Sequence, residues 1–376
     1  MKIAIDISCL LNTTFISGIQ RVVIETTLGL LANGHDVKLL KYRHDTDKFY
    51  LVDNDDFIYK YKEKIEHQPT ISNESYEEFD AELVFLDVDS TWSLDNKKRS
   101  VLFPWLKARG VKIVSYIYDV IPLNFPEYAD QKLMYDFSIY ITAILKYADI
   151  VLTETESGVK SIKKLCSAIG VEEPIFHSTW LGADSITISN TNNLDDNVLS
   201  VLSKKYILMV GTIEPRKNHK LVLDAFDKKL FDEGYELVFA GREGWNIADF
   251  LDRMSKHSLL GSRFHYFKGL DDANIHALYD NAYLLAFPSY AEGFGLPIIE
   301  AFQHKLPVIG ADIDVTMEVA GDMGIFYKQD DVDDFILKVL NLSAETYQIM
   351  KENLNKFEIP TWKEMVNRIE SAIKDL

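Results

Sequence analysis

Residues 288–301 read PSYAEGFGLPIIEA and follow directly on an apolar run, AYLLAFP (282–288). An apolar run of that length reads as a buried strand, and the glycine pair after it marks a sharp turn. Gly293 and Gly295 permit backbone geometry and close approach that a Cβ would forbid, and Pro297 suits the first turn of a helix. The N–H groups at such a helix start form a site for a phosphate or a sugar hydroxyl. Glu292 lies in the loop ahead of those amides and Glu300 lies inside the helix, eight residues later. An acid beside an anion site is costly unless it accepts from hydroxyls or faces developing positive charge, so two carboxylates flanking this turn fit a sugar better than a bare phosphate. The plainer alternative is that Glu292 caps the helix and Glu300 is solvated.

The same strand–turn–helix rhythm runs through the chain. KIAIDI (2–7) is a short strand, 18–32 is a helix stopped by Asn33-Gly34, and DVKLL (36–40) resumes a strand, a βαβ unit. AELVFLD (81–87), KIVSYIYD (112–119), DIVLT (149–153) and PIFHSTWLG (174–182) read as further buried strands. Residues 43–80, charged and Tyr-rich, read as an elaborated loop or edge region. The most polar stretch, SNTNNLDDN (189–197), is the expected hinge, after which the alternation restarts with YILMVG (206–211), ELVFAG (236–241), RFHYFKG (263–269), AYLLAFP and PVIGA (307–311), with helices between them. Apolar strands alternating with helices indicate parallel sheets covered on both faces. The expected domains are 1–190 and 198–360. Residues 361–376, with Met365, Ile369 and Ile373 four apart, should form a closing helix that packs back toward the first domain.

Composition agrees and excludes several classes. A length of 376 residues suggests two domains at roughly 100–200 residues each. The chain has 40 Lys and Arg against 58 Asp and Glu, a net charge of −18 spread evenly as −8 over residues 1–190 and −10 over 191–376. Such a surface does not bind nucleic acid, which requires many cations on one face. Any phosphate must be met by a few placed cations. Cys9 and Cys166 sit among apolar neighbours, so neither a disulfide framework nor a cysteine zinc site is expected, and the protein reads as reduced and cytoplasmic. MKIAIDISCLL lacks the form of a signal peptide, and no apolar run approaches the roughly 20 residues that span a bilayer, so membrane contact would be peripheral at most. The GxGxxG fingerprint is absent after the first strand, which disfavours a nicotinamide enzyme.

Glu292-x7-Glu300, with GFGLP inside it, resembles the signature of the retaining family-four glycosyltransferases. That resemblance implies the GT-B fold: α/β, two facing Rossmann-like doubly wound domains with an active-site cleft between them. It covers nearly the whole chain and is most specific in the C-terminal half. GTIEPRKN (211–218) resembles the family's strand–loop segment, which implies that Arg216 and Lys217 hold the diphosphate of a nucleotide-sugar donor. By the same resemblance Glu300 binds the ribose hydroxyls and Glu292 sits beside the transferred sugar. The backbone of Gly293, Phe294, Gly295 and Leu296 then touches that sugar's hydroxyls and phosphate, and Leu270 in FKGLDD (267–272) packs against the base. Elementary chemistry supports these roles, since cations stabilise a departing diphosphate and a carboxylate accepts two hydroxyl hydrogen bonds well. An exposed charged turn is the alternative for Arg216-Lys217.

In the first half, SGIQRVV (17–23) resembles the family's glycine loop under the donor phosphates, which makes Gly18 a candidate; a glycine that simply starts a helix is the alternative. IYDVIPLNFPEY (117–128) resembles a stretch that many relatives write with His-Asp, but here the His position is Tyr118. Tyr can hydrogen-bond but is no base near neutral pH, so Asp119, at the carboxyl end of a strand, is the candidate for contact with the donor sugar or acceptor. Asp87-Val88-Asp89 and Asp312-Ile313-Asp314 match a metal-holding DxD pattern, but such triplets arise readily in an acidic chain, and the resemblance implies no essential metal and no cofactor beyond the donor. His265, His276 and His304 lack metal-ligand spacing.

The opening and DVIPLNFPEY most resemble bacterial mannosyl- and rhamnosyltransferases of surface polysaccharides. The expected activity is retaining transfer of a hexose or deoxyhexose from a nucleoside-diphosphate sugar, GDP-linked by preference, to a glycan or glycolipid hydroxyl. Two rivals remain at this stage: another GT-B enzyme such as a sugar-nucleotide epimerase or a phosphorylase, and a non-catalytic sugar-nucleotide-binding partner in a glycan-assembly complex.

Overall fold

Two sheets, one wholly parallel and one parallel except at one edge, organise the chain in a computed structural model that describes all residues except 14–15, 17, 64, 66, 93–96, 129–130 and 185–193. Met1–Gly182 with Pro360–Leu376 forms one compact unit and Ala183–Ile359 the other. Most of the hinge read over 189–197 lies outside the described residues, as does Ser17 of the glycine loop.

In the first unit β1 (Lys2–Asp6), β2 (Asp36–Arg43), β3 (Lys48–Val52), β4 (Ile71–Ser75), β5 (Leu83–Asp87), β6 (Lys112–Tyr116), β7 (Ile150–Thr153) and β8 (Ile175–Ser178) form one sheet in the order β4-β3-β2-β1-β5-β6-β7-β8. β1 is parallel to both β2 and β5, and the succession to β8 stays parallel. Strands such as LVFLD and IVLT are buried along their whole length, which explains their apolar runs. β3 and β4 pair antiparallel at the edge. They fall within 43–80, where the sequence shows only an edge or loop: ISNES has almost no apolar residue, and an edge strand needs none on its open side.

The closing helix Trp362–Ile373 belongs to this unit and starts with a capping box between Thr361 and Glu364. Val366 meets Gly29 of the helix Gly18–Ala32, and Glu370 accepts from Asn33 (2.6 Å) and contacts His35 (2.9 Å). Gly182 is the last residue of the outgoing chain in this unit. A Cβ there would overlap the Trp362 backbone nitrogen, so a residue without one is required where the closing helix returns.

The second unit builds β9 (Tyr206–Val210), β10 (Glu236–Ala240), β11 (Phe264–Phe267), β12 (Leu284–Phe287), β13 (Val308–Ala311) and β14 (Gly324–Tyr327) in the order β11-β10-β9-β12-β13-β14, all parallel. This is the doubly wound order with the switch point between β9 and β12, where such sheets place their ligands at the strands' carboxyl ends. GTIEPRKN follows β9 and PSYAEGFG follows β12, so the two motifs lie side by side.

The DxD triplet at 87–89 is a structural ion cluster. Arg99 is fully buried, with its guanidinium on Asp87 (2.6 and 2.9 Å) and Asp6 (2.9 Å). Asp89 accepts the Leu10 and Ser90 amides (both 2.8 Å) and is pushed up to about 7 by burial. The other triplet is likewise engaged: Asp312 accepts the Gln329 amide (2.8 Å) and Asp314 opens the helix Asp314–Ala320. Among the described residues no group of three or more His, Cys, Asp or Glu could hold a metal ion.

Removing Arg99 would strand two buried carboxylates, a change that typically costs about 3–5 kcal/mol. Arg99→Met should therefore lower unfolding free energy by that order in urea at pH 7. The loss should shrink toward pH 5, because burial already raises the Asp87 pKa against the pull of Arg99, and protonation relieves the unpaired charge.

Candidate functional site

The loops after β9 and β12 meet through one carboxylate. Glu292 receives Arg216 Nη1 on Oε2 (2.6 Å), and Lys217 Nζ (2.8 Å) and Ser289 Oγ (2.7 Å) on Oε1. Arg216 also donates to the Ala291 carbonyl (2.7 Å) and to Glu214 (2.6 Å), while its own carbonyl accepts the Tyr290 amide (2.9 Å). Pro215–Lys217 is a single 3-10 turn ended by Asn218 in the left-handed region (φ 53°), whose side chain then accepts from the Leu221 amide as a helix cap. That local geometry aims two consecutive cations at the neighbouring loop.

Burial would raise the Glu292 carboxyl, but the Arg216 and Lys217 charges outweigh it and hold the group at about 2. Glu292 is thus a permanent anion and no proton donor. Its side chain is 7% exposed, against 19% for Arg216 and 15% for Lys217, so the cations reach solvent where the carboxylate does not.

Gly295 stands at φ 103° and turns the chain into the helix Leu296–Gln303. Pro297 has no N–H and that of Ile298 turns back to the Gly295 carbonyl (2.9 Å), so this helix start offers fewer amide donors than its sequence suggests. Phe294 is buried; Gly293 and Leu296 are half-buried. Glu300, one turn in, accepts from the buried Tyr279 hydroxyl (2.8 Å) on the helix Asp272–Asn281. Leu270 is half-buried in the turn ahead of that helix.

Gly18 and Asp119 belong to the first unit. Gly18 opens its helix and is exposed, while Asp119 is half-buried and caps the turn over Ile121 (2.9 Å). Asp119 and Ile19, the neighbour of Gly18, line one cavity of about 130 Å³ with Tyr118, Pro122 and Phe137. Tyr118 is buried against Tyr116 (ring centroids 4.6 Å apart) and donates to the Val88 carbonyl (2.5 Å), so it replaces an imidazole with a structural phenol.

Sequence reasoning missed Glu214, Ser289 and Tyr279. Glu214 and Ser289 stand inside the two quoted motifs, and their proximity to charged residues was the available signal. Tyr279 lies 21 residues from Glu300 and nothing in the pattern points to it.

Residues 191–358 match the family model "Glycosyl transferases group 1". The chain carries a group 1 glycosyltransferase domain. Curated relatives include the serotype-specific mannosyltransferase WbdA of Escherichia coli, 28% identical over 96% of this chain and 45% of its own length. Another is the O-antigen chain mannosyltransferase RfbU of Salmonella typhimurium, 25% identical over 66% of this chain and 67% of its own. The chain thus spans less than half the length of WbdA. Sucrose-phosphate synthase of Thermosynechococcus elongatus is similar in fold, with a TM-score of 0.66 at 15% identity over 100% of this chain and 98% of that one. The architecture is that of the GT-B glycosyltransferases, with the group 1 domain in the second unit.

Because Glu292 is ionised when folded at a pKa well below its ordinary value, it adds stability above about pH 4.5 that is lost as pH falls through about 2. The stability gap between the wild type and Glu292→Gln, taken from urea unfolding, should narrow from pH 6 to pH 3. A constant gap would contradict the ion triad.

Proposed function

We propose that this protein is a retaining glycosyltransferase that moves a hexose or deoxyhexose, of mannose or rhamnose type, from a nucleoside-diphosphate sugar to a hydroxyl of a glycan or lipid-linked glycan in surface-polysaccharide synthesis. The observation that carries this reading is the convergence of Arg216 and Lys217 on Glu292 at the switch point of a group 1 glycosyltransferase domain. Two partly exposed cations suit a diphosphate, and the ionised carboxylate beside them suits a sugar hydroxyl or the positive charge that develops at the anomeric carbon.

In this reading the bond from the anomeric carbon to the donor phosphate breaks while the acceptor oxygen bonds to the same face. The acceptor's proton passes to the departing phosphate oxygen, so no protein base is needed. Arg216 and Lys217 stabilise the leaving diphosphate and Glu300 holds the ribose. Asp119 orients the donor sugar or acceptor. The backbone from Gly293 to Leu296 approaches the transferred sugar, Leu270 the base and Gly18 the phosphates. The reading calls for no essential metal and no cofactor beyond the donor. The relatives named as mannosyltransferases suit a mannose-type sugar and a glycan acceptor, and the reading takes the donor as GDP-linked. No described helix is long and apolar enough to cross a membrane. The reading places the enzyme in the cytoplasm, with peripheral membrane contact at most.

A thermal-shift screen against GDP-, UDP- and dTDP-sugars tests the donor class, since a specific ligand raises the melting temperature by mass action. GDP-mannose or a GDP-linked deoxyhexose should give the largest shift, and no shift with any sugar nucleotide would reject the function. Glu300→Ala should abolish donor binding in calorimetry. Arg216→Ala and Lys217→Ala should each reduce turnover at least 100-fold, of the order found when a charge-stabilising donor is removed from an active site. Turnover that survives in both would refute the diphosphate assignment.

A further inference from the structure

Behind Glu300 lies a chain of polar contacts that the proposed reaction does not use. His304 immediately follows the helix carrying Glu300, and its Nδ1 meets Asp280 Oδ1 at 2.6 Å. Its Nε2 meets His276 Nδ1 at 2.8 Å. The His304 ring stacks on Tyr279, with centroids 5.4 Å apart and an interplanar angle of 10°. Tyr279 donates to Glu300 Oε2 at 2.8 Å. His276, Tyr279 and Asp280 all come from the helix Asp272–Asn281, so these contacts cross-tie two helices at the point where Glu300 is aimed.

We propose that His304 is a positioning residue for Glu300: fixed by Asp280 and His276, its ring holds the Tyr279 phenol in place, and the phenol fixes one oxygen of the carboxylate that binds the donor's ribose. This rests on the ribose assignment made above. The parts are rigid enough to do it, since Tyr279 is 2% exposed, His276 6%, and the His304 side chain 8%. Burial keeps the Tyr279 hydroxyl protonated, and the Glu300 charge adds to that, so the phenol stays a donor.

The arrangement also sets a proton count. Asp280 fixes a proton on His304 Nδ1, and the contact between His304 Nε2 and His276 Nδ1 holds one more. A second proton there would face two N–H groups at 2.8 Å and break the tie. Burial lowers the pKa of His276, the His304 charge lowers it further, and Asp272 and Asp280 oppose both. Tyr279 stacks on His304 and leads on to Glu300, while Lys305 turns away to the Leu354 carbonyl (3.1 Å). With its pKa lowered, His276 is neutral at neutral pH and the tie stays intact, and protonation of His276 at lower pH opens it.

Calorimetry with GDP, UDP and inorganic pyrophosphate separates this role from general stability, because pyrophosphate reaches only the cation end of the site. His304→Ala should weaken the nucleotide that the wild type binds about tenfold while leaving pyrophosphate within twofold, with thermal melting confirming a folded protein. In a Tyr279→Phe background the same substitution should add nothing, since the link to Glu300 is already cut. As pH falls below 6.5, the ordinary histidine value from which burial lowers His276, wild-type nucleotide affinity should fall relative to that of pyrophosphate. His276→Gln, which cannot titrate but still hydrogen-bonds, should flatten that fall. Unchanged nucleotide affinity in His304→Ala, an equal loss for pyrophosphate, or full additivity with Tyr279→Phe would each overturn the inference while leaving the glycosyltransferase reading intact. A wild type that binds neither nucleotide would fail that reading and the inference together.

Discussion

The ion triad of Glu292 with Arg216 and Lys217 is the constraint around which the second unit's site is built. Each partner sits on a loop leaving the carboxyl end of a strand, and loops of that kind carry few apolar contacts to fix them. Taking three charges largely out of water would be unfavourable were their hydrogen bonds not satisfied. Here Ser289 completes the carboxylate, while Glu214 and the Ala291 carbonyl complete the guanidinium. The loops are therefore bonded to each other before any ligand arrives. A site assembled in advance loses less freedom on binding, which is the physical content of preorganisation.

The first unit uses the same device to a different end. Arg99 joins Asp6 at the end of β1 to Asp87 at the end of β5, also adjacent strands in a parallel sheet. The difference is access. All three side chains of that cluster are wholly buried, whereas Arg216 and Lys217 retain 15–19% of their exposure. A sealed ion cluster fixes a strand order, and one that opens to solvent on its cationic side can exchange a partner. Exposure, more than charge or spacing, separates the structural DxD at 87–89 from the candidate binding residues, and exposure is invisible in a three-letter pattern.

That limit shows how much of this protein was legible in its sequence. Buried parallel strands such as LVFLD and ELVFA declared themselves because burial on both faces demands uninterrupted apolar residues. ISNES did not, because an edge strand is held by its backbone pairing alone. β14 is a four-residue, mostly half-buried edge strand, and it and the helices Val332–Leu340 and Ala344–Leu354 carry no motif that marks them in the sequence. At the site, Arg216, Lys217, Glu292 and Glu300 were readable because each stands in a short motif with its glycines and prolines. Their grouping around Glu292 was not, since 75 residues separate Lys217 from it. His276 and His304 were dismissed for wrong metal spacing, and that test could not see that two helices bring them to 2.8 Å.

The charge balance decides what kind of ligand this site can favour. Arg216 and Lys217 are matched by Glu214 and Glu292, so the cluster is close to neutral and stands in a chain of net charge −18. Long-range attraction cannot draw a polyanion to it, and a Debye length of about 8 Å at physiological salt would confine any residual field to the site itself. Affinity must come from short contacts, and under the proposed function a diphosphate would share the two cations with a carboxylate that stays ionised. Sharing is tolerable only where the carboxylate gains compensation, and hydroxyls donated to it supply that. A nucleotide carrying a sugar would meet the requirement better than a bare phosphate or pyrophosphate. Under the proposed function the carboxylate nearest the cations would act as a filter, converting a weak general anion site into one that asks for phosphate and polyol in the same molecule.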